Sequence, residues 1–199
     1  MSTRSWVIHL VGFPAVGKRT VAVELVAASE AALGRRFVLI DNHLSSNPIL
    51  TVVDQGGSGT VGDEVWDLVD EVRDVVDRAI ITLAPPERSF VFTNSPMAGD
   101  ANGIRAVTRV QRLAEARHST YVPVVLSCER GELLDRVANA DRRSHGKWTA
   151  PDEVAAHLAT REVLRPESPH LLDLDTTSTP AGQSAQAILD HLIAITTSG

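Results

Sequence analysis

The sequence predicts a three-layer α/β/α fold built on a five-stranded parallel sheet. Three observations carry that expectation. Short apolar runs recur at residues 6–11, 37–40, 90–92, 121–126 and 171–174, separated by longer stretches with helical spacing. That rhythm marks strands buried on both faces and joined by crossover helices. The first run leads through a glycine-rich turn, Gly12-Phe-Pro-Ala-Val-Gly17-Lys18, directly into a helical pattern. Finally, 199 residues with 43% hydrophobic content suffice for one α/β domain over 1–199, and neither a repeat nor a linker divides it.

Each element follows from local chemistry. After the strand at 6–11, Gly12 and Gly17 allow a tight turn whose successive N–H groups point at an anion, and the next helix adds the positive end of its dipole. Pro14, Ala15 and Val16 complete the cradle, and Lys18 stands where it reaches the β- and γ-phosphates of a nucleotide. Lysine is scarce here: of 19 Lys and Arg residues only Lys18 and Lys147 are lysines. With that composition the G-x-x-x-x-G-K spacing arises by chance in roughly one chain in a hundred, so it counts as a motif. One position departs from it. The residue after the lysine is ordinarily Ser or Thr, whose hydroxyl helps hold Mg²⁺, but this chain has Arg19, and Thr20 follows about 100° further round the helix. Either the metal is held by phosphates, water and a carboxylate elsewhere, which we favour, or nucleotide binds without efficient chemistry. In the favoured case Asp41 acts on the metal through water, and Thr20 is a weaker candidate ligand.

The first helix is expected to run to residue 33, where Gly34 stops it. Residues 55–60, Gln-Gly-Gly-Ser-Gly-Thr, are too glycine-rich for regular structure. The clearest helical period spans 61–83, with Val65, Leu68, Val69, Val72, Val76, Ala79, Ile80 and Leu83 on one face; Pro85-Pro86 ends it. Further helices are expected at 104–117, 131–137 and 152–164. Thr179-Pro180 reads as an N-cap and first-turn proline opening a last helix to about residue 196. Between the helices at 131–137 and 152–164 lies a polar, basic stretch at 139–150.

In an open parallel sheet, ligands bind beyond the carboxyl ends of the strands. The residues just after each apolar run therefore converge: the glycine loop, then Asp41-Asn42-His43, Thr93-Asn94-Ser95, Ser127-Cys128 and Asp175-Thr176-Thr177. Asp41 is the leading general base or water-mediated Mg²⁺ ligand; its plain alternative is a turn-capping aspartate. Asp100 is the second choice of carboxylate. His43, Asn42, Asn94 and Ser95 are candidate acceptor contacts, although His43 serves equally well as a structural histidine and Asn42 as a turn residue. Arg136, Arg142, Arg143 and Lys147 gather positive charge in an acidic chain. A basic loop closing over the nucleotide neutralises transferring phosphate and excludes water. Arg136 and Arg142 are the preferred catalytic pair; the alternative is a solvated loop.

The remaining bulk properties exclude several classes. A net charge of −6 opposes a general nucleic-acid surface. The lone Cys128 rules out an internal disulfide and reads as a structural thiol. Neither a membrane span nor a secretory leader is legible, which points to a cytoplasmic protein, monomeric or homodimeric.

Taken together, GFPAVGKRT, Asp41 after the second strand, LLDRVANADRR and LDLDTTSTPAGQSAQAIL resemble small P-loop kinases of the shikimate kinase and chloramphenicol phosphotransferase type. The pairing of GKRT with DNHLSSNP also resembles a bacterial group of ATP-binding, kinase-like proteins. The resemblance covers nearly the whole chain, though only the phosphate loop is a specific motif. It implies a P-loop NTPase fold like that of nucleoside-monophosphate kinases, with a short arginine-bearing lid at about 139–150 and an acceptor region at about 41–83. It also implies ATP with Mg²⁺, the motif not distinguishing ATP from GTP. Lid arginines would then contact phosphates, the loop carrying Thr176 and Thr177 would lie near adenine, and Asp41 would activate the acceptor hydroxyl. Shikimate itself does not fit, because Asp-Asn-His replaces the Asp-x-Asp expected there and Thr-Asn-Ser replaces a glycine run. The expected function is ATP-dependent O-phosphorylation of a small polyhydroxylated metabolite or antibiotic, for example a capuramycin-like nucleoside. The alternatives are a nucleotide or polynucleotide-end kinase, disfavoured by the acidic balance and few aromatics, and a nucleotide-binding regulator with weak ATPase activity.

Overall fold

A computed structural model describes residues 5–53, 61–138 and 151–197. Five strands, β1 (Trp6–Gly12), β2 (Val38–Asp41), β3 (Phe90–Asn94), β4 (Thr120–Ser127) and β5 (Leu172–Asp175), form one sheet in the order β2-β3-β1-β4-β5. Every pairing is parallel. Among the described residues seven helices flank them: α1 (Lys18–Leu33), α2 (His43–Val53), α3 (Asp63–Thr82), α4 (Ala101–Ala116), α5 (Arg130–Ala138), α6 (Pro151–Thr160) and α7 (Ala181–Thr197).

Both sheet faces are covered, as a parallel sheet requires. On one face Ile8, Leu10, Val91, Val122 and Val124 pack against Val21, Leu25, Ile188, Leu189 and Leu192 of α1 and α7. On the other, Val7, Phe90 and Phe92 pack against Ile80, Val110 and Leu113 of α3 and α4. The alternation of side chains along each strand divides the two sets. Strand register then gathers the carboxyl ends: Asp41 lies beside Thr93, Val11 beside Asn94, Gly12 beside Leu126, and Ser127 beside Asp175.

Three expectations change. Residues 43–53 form α2, which sequence periodicity did not indicate. Pro48 sits inside it, and its buried residues are Ser45 and Ser46 rather than an apolar stripe. Helix α6 ends at Thr160 rather than near 164. The backbone after it is taken up by the segment before α4: Ala98 N–H donates to Glu162 O (2.8 Å) and Leu164 N–H to Pro96 O (2.9 Å). In α3 the buried face is Val65, Val69, Arg73, Asp77 and Ile80, while Leu68 and Leu83 are exposed. Ion pairs explain the rotation. Arg73 pairs with Asp70 (2.8 Å) and Asp77 with Arg109 of α4 (2.6 Å), so charged residues occupy positions that hydropathy assigns to solvent. The glycine run at 55–60 and the basic stretch at 139–150, with Arg142, Arg143 and Lys147, lie outside the described residues.

Candidate functional site

The turn between β1 and α1 has the backbone that its glycines anticipate. A Cβ on Gly12 would stand 2.6 Å from the Leu126 carbonyl oxygen and 2.8 Å from Val16 Cγ1, so only glycine allows β4 to run this close. Gly17 adopts φ +96° and Ala15 φ +72°. For Ala15 that left-handed conformation costs about 1 kcal/mol or more, strain of a kind that collects at functional turns. Lys18 curls back over the turn, its Nζ donating to Gly12 O (2.8 Å) and Phe13 O (2.7 Å). The ammonium is thereby held above the concave side of the loop.

Asp41 ends β2 and is 7% exposed. Its Oδ1 accepts from Thr93 Oγ1 and from the backbone N–H of His43, both at 3.2 Å, so β3 and the start of α2 both fix it. The other oxygen is different. Oδ2 is buried and accepts no hydrogen bond among the described residues, while Arg19 Nε lies 3.1 Å away as an ion-pair partner. The residue standing where the motif usually has Ser or Thr therefore reaches across to the leading carboxylate.

The opposite wall is built by α5 and the turn after β5. Arg136 donates from Nε to Glu132 Oε1 (2.8 Å), and from one terminal nitrogen to Thr176 O (2.7 Å) and Thr177 O (3.1 Å). Its other terminal nitrogen would be 4.0 Å from a Cβ built on Gly17, which puts the guanidinium over the loop. The Thr176 hydroxyl is shared between Val16 O (2.8 Å) and Ser127 O (2.9 Å), tying β5 to the loop. Thr177 closes a turn on Asp175 and accepts from Glu129 N–H (2.8 Å). Glu132 and Arg136 thus share α5 with Leu133 and Val137, which pack beside Phe13 and Ala15 of the loop.

These parts enclose one cleft of about 620 Å³. Pro14, Ala15, Val16, Gly17, Lys18, Arg19, Thr20, Asp41, Asn42, His43, Ser95, Arg136 and Thr176 line it together. Gly12 lies beneath the loop. Two expected contacts are placed elsewhere. Thr177 is spent on its own turn, and Asn94 points to the opposite sheet face, because side chains alternate along β3 and Thr93 takes the cleft side. There Asn94 Oδ1 accepts from His9 Nε2 (2.9 Å), and His9 Nδ1 accepts from the Tyr121 hydroxyl (3.0 Å). Burial, foremost, and Arg109 lower the His9 pKa to about 3 against an opposing Asn94 bond, so the imidazole is neutral. Asp100 caps α4, accepting from Asn102 N–H (3.1 Å). Cys128 is half-buried, and burial, the largest cause, pushes its thiol pKa up.

Sequence reading missed Ser46, Leu50, Trp66 and Thr179, which also line the cleft. Trp66 sits one position off the apolar stripe of α3; its only signal was the rarity of aromatics, 4% of the chain. Ser46 and Leu50 became site residues only through the unanticipated α2.

No protein-family model and no curated protein matches this sequence. Solved structures do. A candidate kinase from Chloroflexus aurantiacus aligns over 98% of both chains at 17% identity with a TM-score of 0.66. A gluconokinase from Sinorhizobium meliloti 1021 aligns over 95% of this chain and 92% of its own at 14% identity, TM-score 0.61. The Mycobacterium tuberculosis APS kinase CysC, in complex with AMPPNP and APS, aligns over 95% and 98% at 15% identity, TM-score 0.57. At these identities the likeness establishes the fold, a three-layer α/β/α P-loop fold.

Proposed function

We propose that the chain is an O-phosphotransferase that moves the γ-phosphoryl group of ATP to a hydroxyl of a small polyhydroxylated molecule. The single observation carrying this reading is Asp41 Oδ2. A buried carboxylate oxygen without a hydrogen bond is rare, and this one borders the same cleft as the phosphate loop. An acceptor hydroxyl supplies the missing donor. Its oxygen attacks the γ-phosphorus in line, the bond to the β,γ-bridging oxygen breaks, ADP leaves, and the hydroxyl proton passes to Asp41. Lys18 and Arg136 neutralise the phosphates. Arg142 is proposed as a further phosphate contact, with Thr20 near the α-phosphate, while Asn42, His43 and Ser95 orient the acceptor. The AMPPNP bound to the structurally similar APS kinase supports ATP as donor; the loop motif itself does not distinguish ATP from GTP.

Mg²⁺ fits this chain's own residues poorly. The hydroxyl after the lysine is absent, the residue there is a cation 3.1 Å from Asp41, and Thr93-Asn94 replaces an acid after β3. The transfer as proposed rests on this chain's own residues.

Screening hydroxylated metabolites and antibiotics, nucleoside antibiotics included, for an ATP-dependent mass gain of one phosphoryl group tests the reading. A phosphorylated acceptor supports it. Nucleotide binding with slow hydrolysis and no acceptor across the screen supports instead a nucleotide-binding regulator, the reading that an ion-paired Asp41 would otherwise favour.

A further inference from the structure

We propose that Arg19 is a tethered cation serving in place of a protein–metal contact, so that nucleotide binding by this chain is largely uncoupled from divalent cations. The inference rests on the nucleotide-binding part of the proposed function.

Position and charge carry it. Arg19 directly follows Lys18 on the first turn of α1, where the motif places the metal-binding hydroxyl. Its Nε stands 3.1 Å from Asp41 Oδ2, a buried carboxylate oxygen at the cleft that accepts no hydrogen bond among the described residues. A divalent ion held by Asp41 would sit against this guanidinium, and like charges disfavour that arrangement. Arg19 is also free to respond. Its side chain is 50% exposed, against 9% for Asp41, so the carboxylate is fixed while the arginine can turn from Asp41 toward an incoming phosphate. A guanidinium binds phosphate oxygens through a two-pronged fork, which a hydroxyl cannot do without its metal. Moving Arg19 onto phosphate also releases Asp41 Oδ2 for the acceptor hydroxyl, so donor binding prepares the base.

Calorimetric titration of ADP, in excess EDTA and in excess Mg²⁺, tests this without any turnover. For the unaltered chain the two dissociation constants should agree within about 3-fold. Arg19→Thr restores the hydroxyl and removes the cation; its affinity in EDTA should fall about 10-fold or more and recover with Mg²⁺. Arg19→Lys keeps the charge and loses the fork, so its affinity in EDTA should lie between those of the unaltered chain and Arg19→Thr. Tightening of the unaltered chain by Mg²⁺ of about 10-fold or more, or the same EDTA-to-Mg²⁺ ratio in Arg19→Thr, overturns the inference and leaves the kinase reading standing. Failure of ADP to bind under either condition overturns the nucleotide reading itself, and this inference with it. The ratio for the unaltered chain decides even if Arg19→Thr folds poorly.

Discussion

In the proposed transfer Asp41 and Lys18 serve opposite halves of the reaction, and their bonding patterns separate their expected defects. Lys18 Nζ donates to the loop carbonyls of Gly12 and Phe13, and its side chain belongs to none of the apolar clusters of the described residues. Lys18→Ala should therefore lose ATP turnover while the chain still folds, less stable by about 1–3 kcal/mol because two partly buried loop carbonyls lose their charged donor. A mutant with normal turnover would end the phosphate-loop assignment. Asp41→Asn is the sharper probe. Asparagine preserves the acceptor oxygen facing Thr93 Oγ1 and His43 N–H, so β2, β3 and α2 stay joined. It removes the proton acceptor. Phosphoryl transfer, followed by mass spectrometry, should drop by roughly 10²-fold or more, with acceptor affinity by calorimetry little changed. A fully active Asp41→Asn enzyme would remove Asp41 from the mechanism.

At the scale of elements, α5 and the turn after β5 behave as a unit because Arg136 straps them together. Its bonds to Glu132, Thr176 O and Thr177 O hold the guanidinium over Gly17. Arg136→Ala should weaken ATP binding and lower transfer together. Loss of the charged donor should also destabilise the fold by about 1–3 kcal/mol, since two carbonyls lose their partner. Unchanged stability in urea would show that the strap carries no load. The same elements show what sequence can and cannot reveal. All five strands were legible because parallel strands buried on both faces are continuous apolar runs, and the loop was legible because its backbone demands glycine. Helix α2 was hidden, since it buries serines and contains Pro48, and its apolar Leu44 and Val52 face solvent. Of the residues expected in the cleft by their position after a strand, Asp41, Asn42, His43, Ser95 and Thr176 line it. Thr177 instead turns back on Asp175, and Asn94 takes the other face, because strand parity rather than proximity decides where a side chain lies. In the sequence Arg19 shows only the missing hydroxyl; that its charge reaches Asp41 follows from where the fold sets the start of α1 against the end of β2.

Across the whole molecule, the sheet carries a titratable group in its interior, and that sets how stability responds to acid. His9 is fully buried at the centre of β1, bonded to Asn94 on β3 and Tyr121 on β4, so it joins three strands in its neutral form. Burial, the largest cause, lowers its pKa from 6.5 to about 3 in the folded protein. The unfolded chain therefore takes up a proton between those values that the folded chain refuses. Its contribution to stability is complete above pH 6.5 and is lost as the pH falls toward 3, with a slope approaching about 1.4 kcal/mol per pH unit. Half-buried His157, also lowered chiefly by burial, acts in the same direction, so a variant is needed to isolate His9. His9→Gln offers a donor and an acceptor without a titrating group. Unfolding free energies from urea titrations between pH 7 and pH 5, above the range where most carboxylates protonate, should fall less steeply for the variant. The difference expected over that span is about 2 kcal/mol, whatever the variant's stability at pH 7. Parallel curves for the two proteins would mean that His9 is not the group through which acid reaches the sheet.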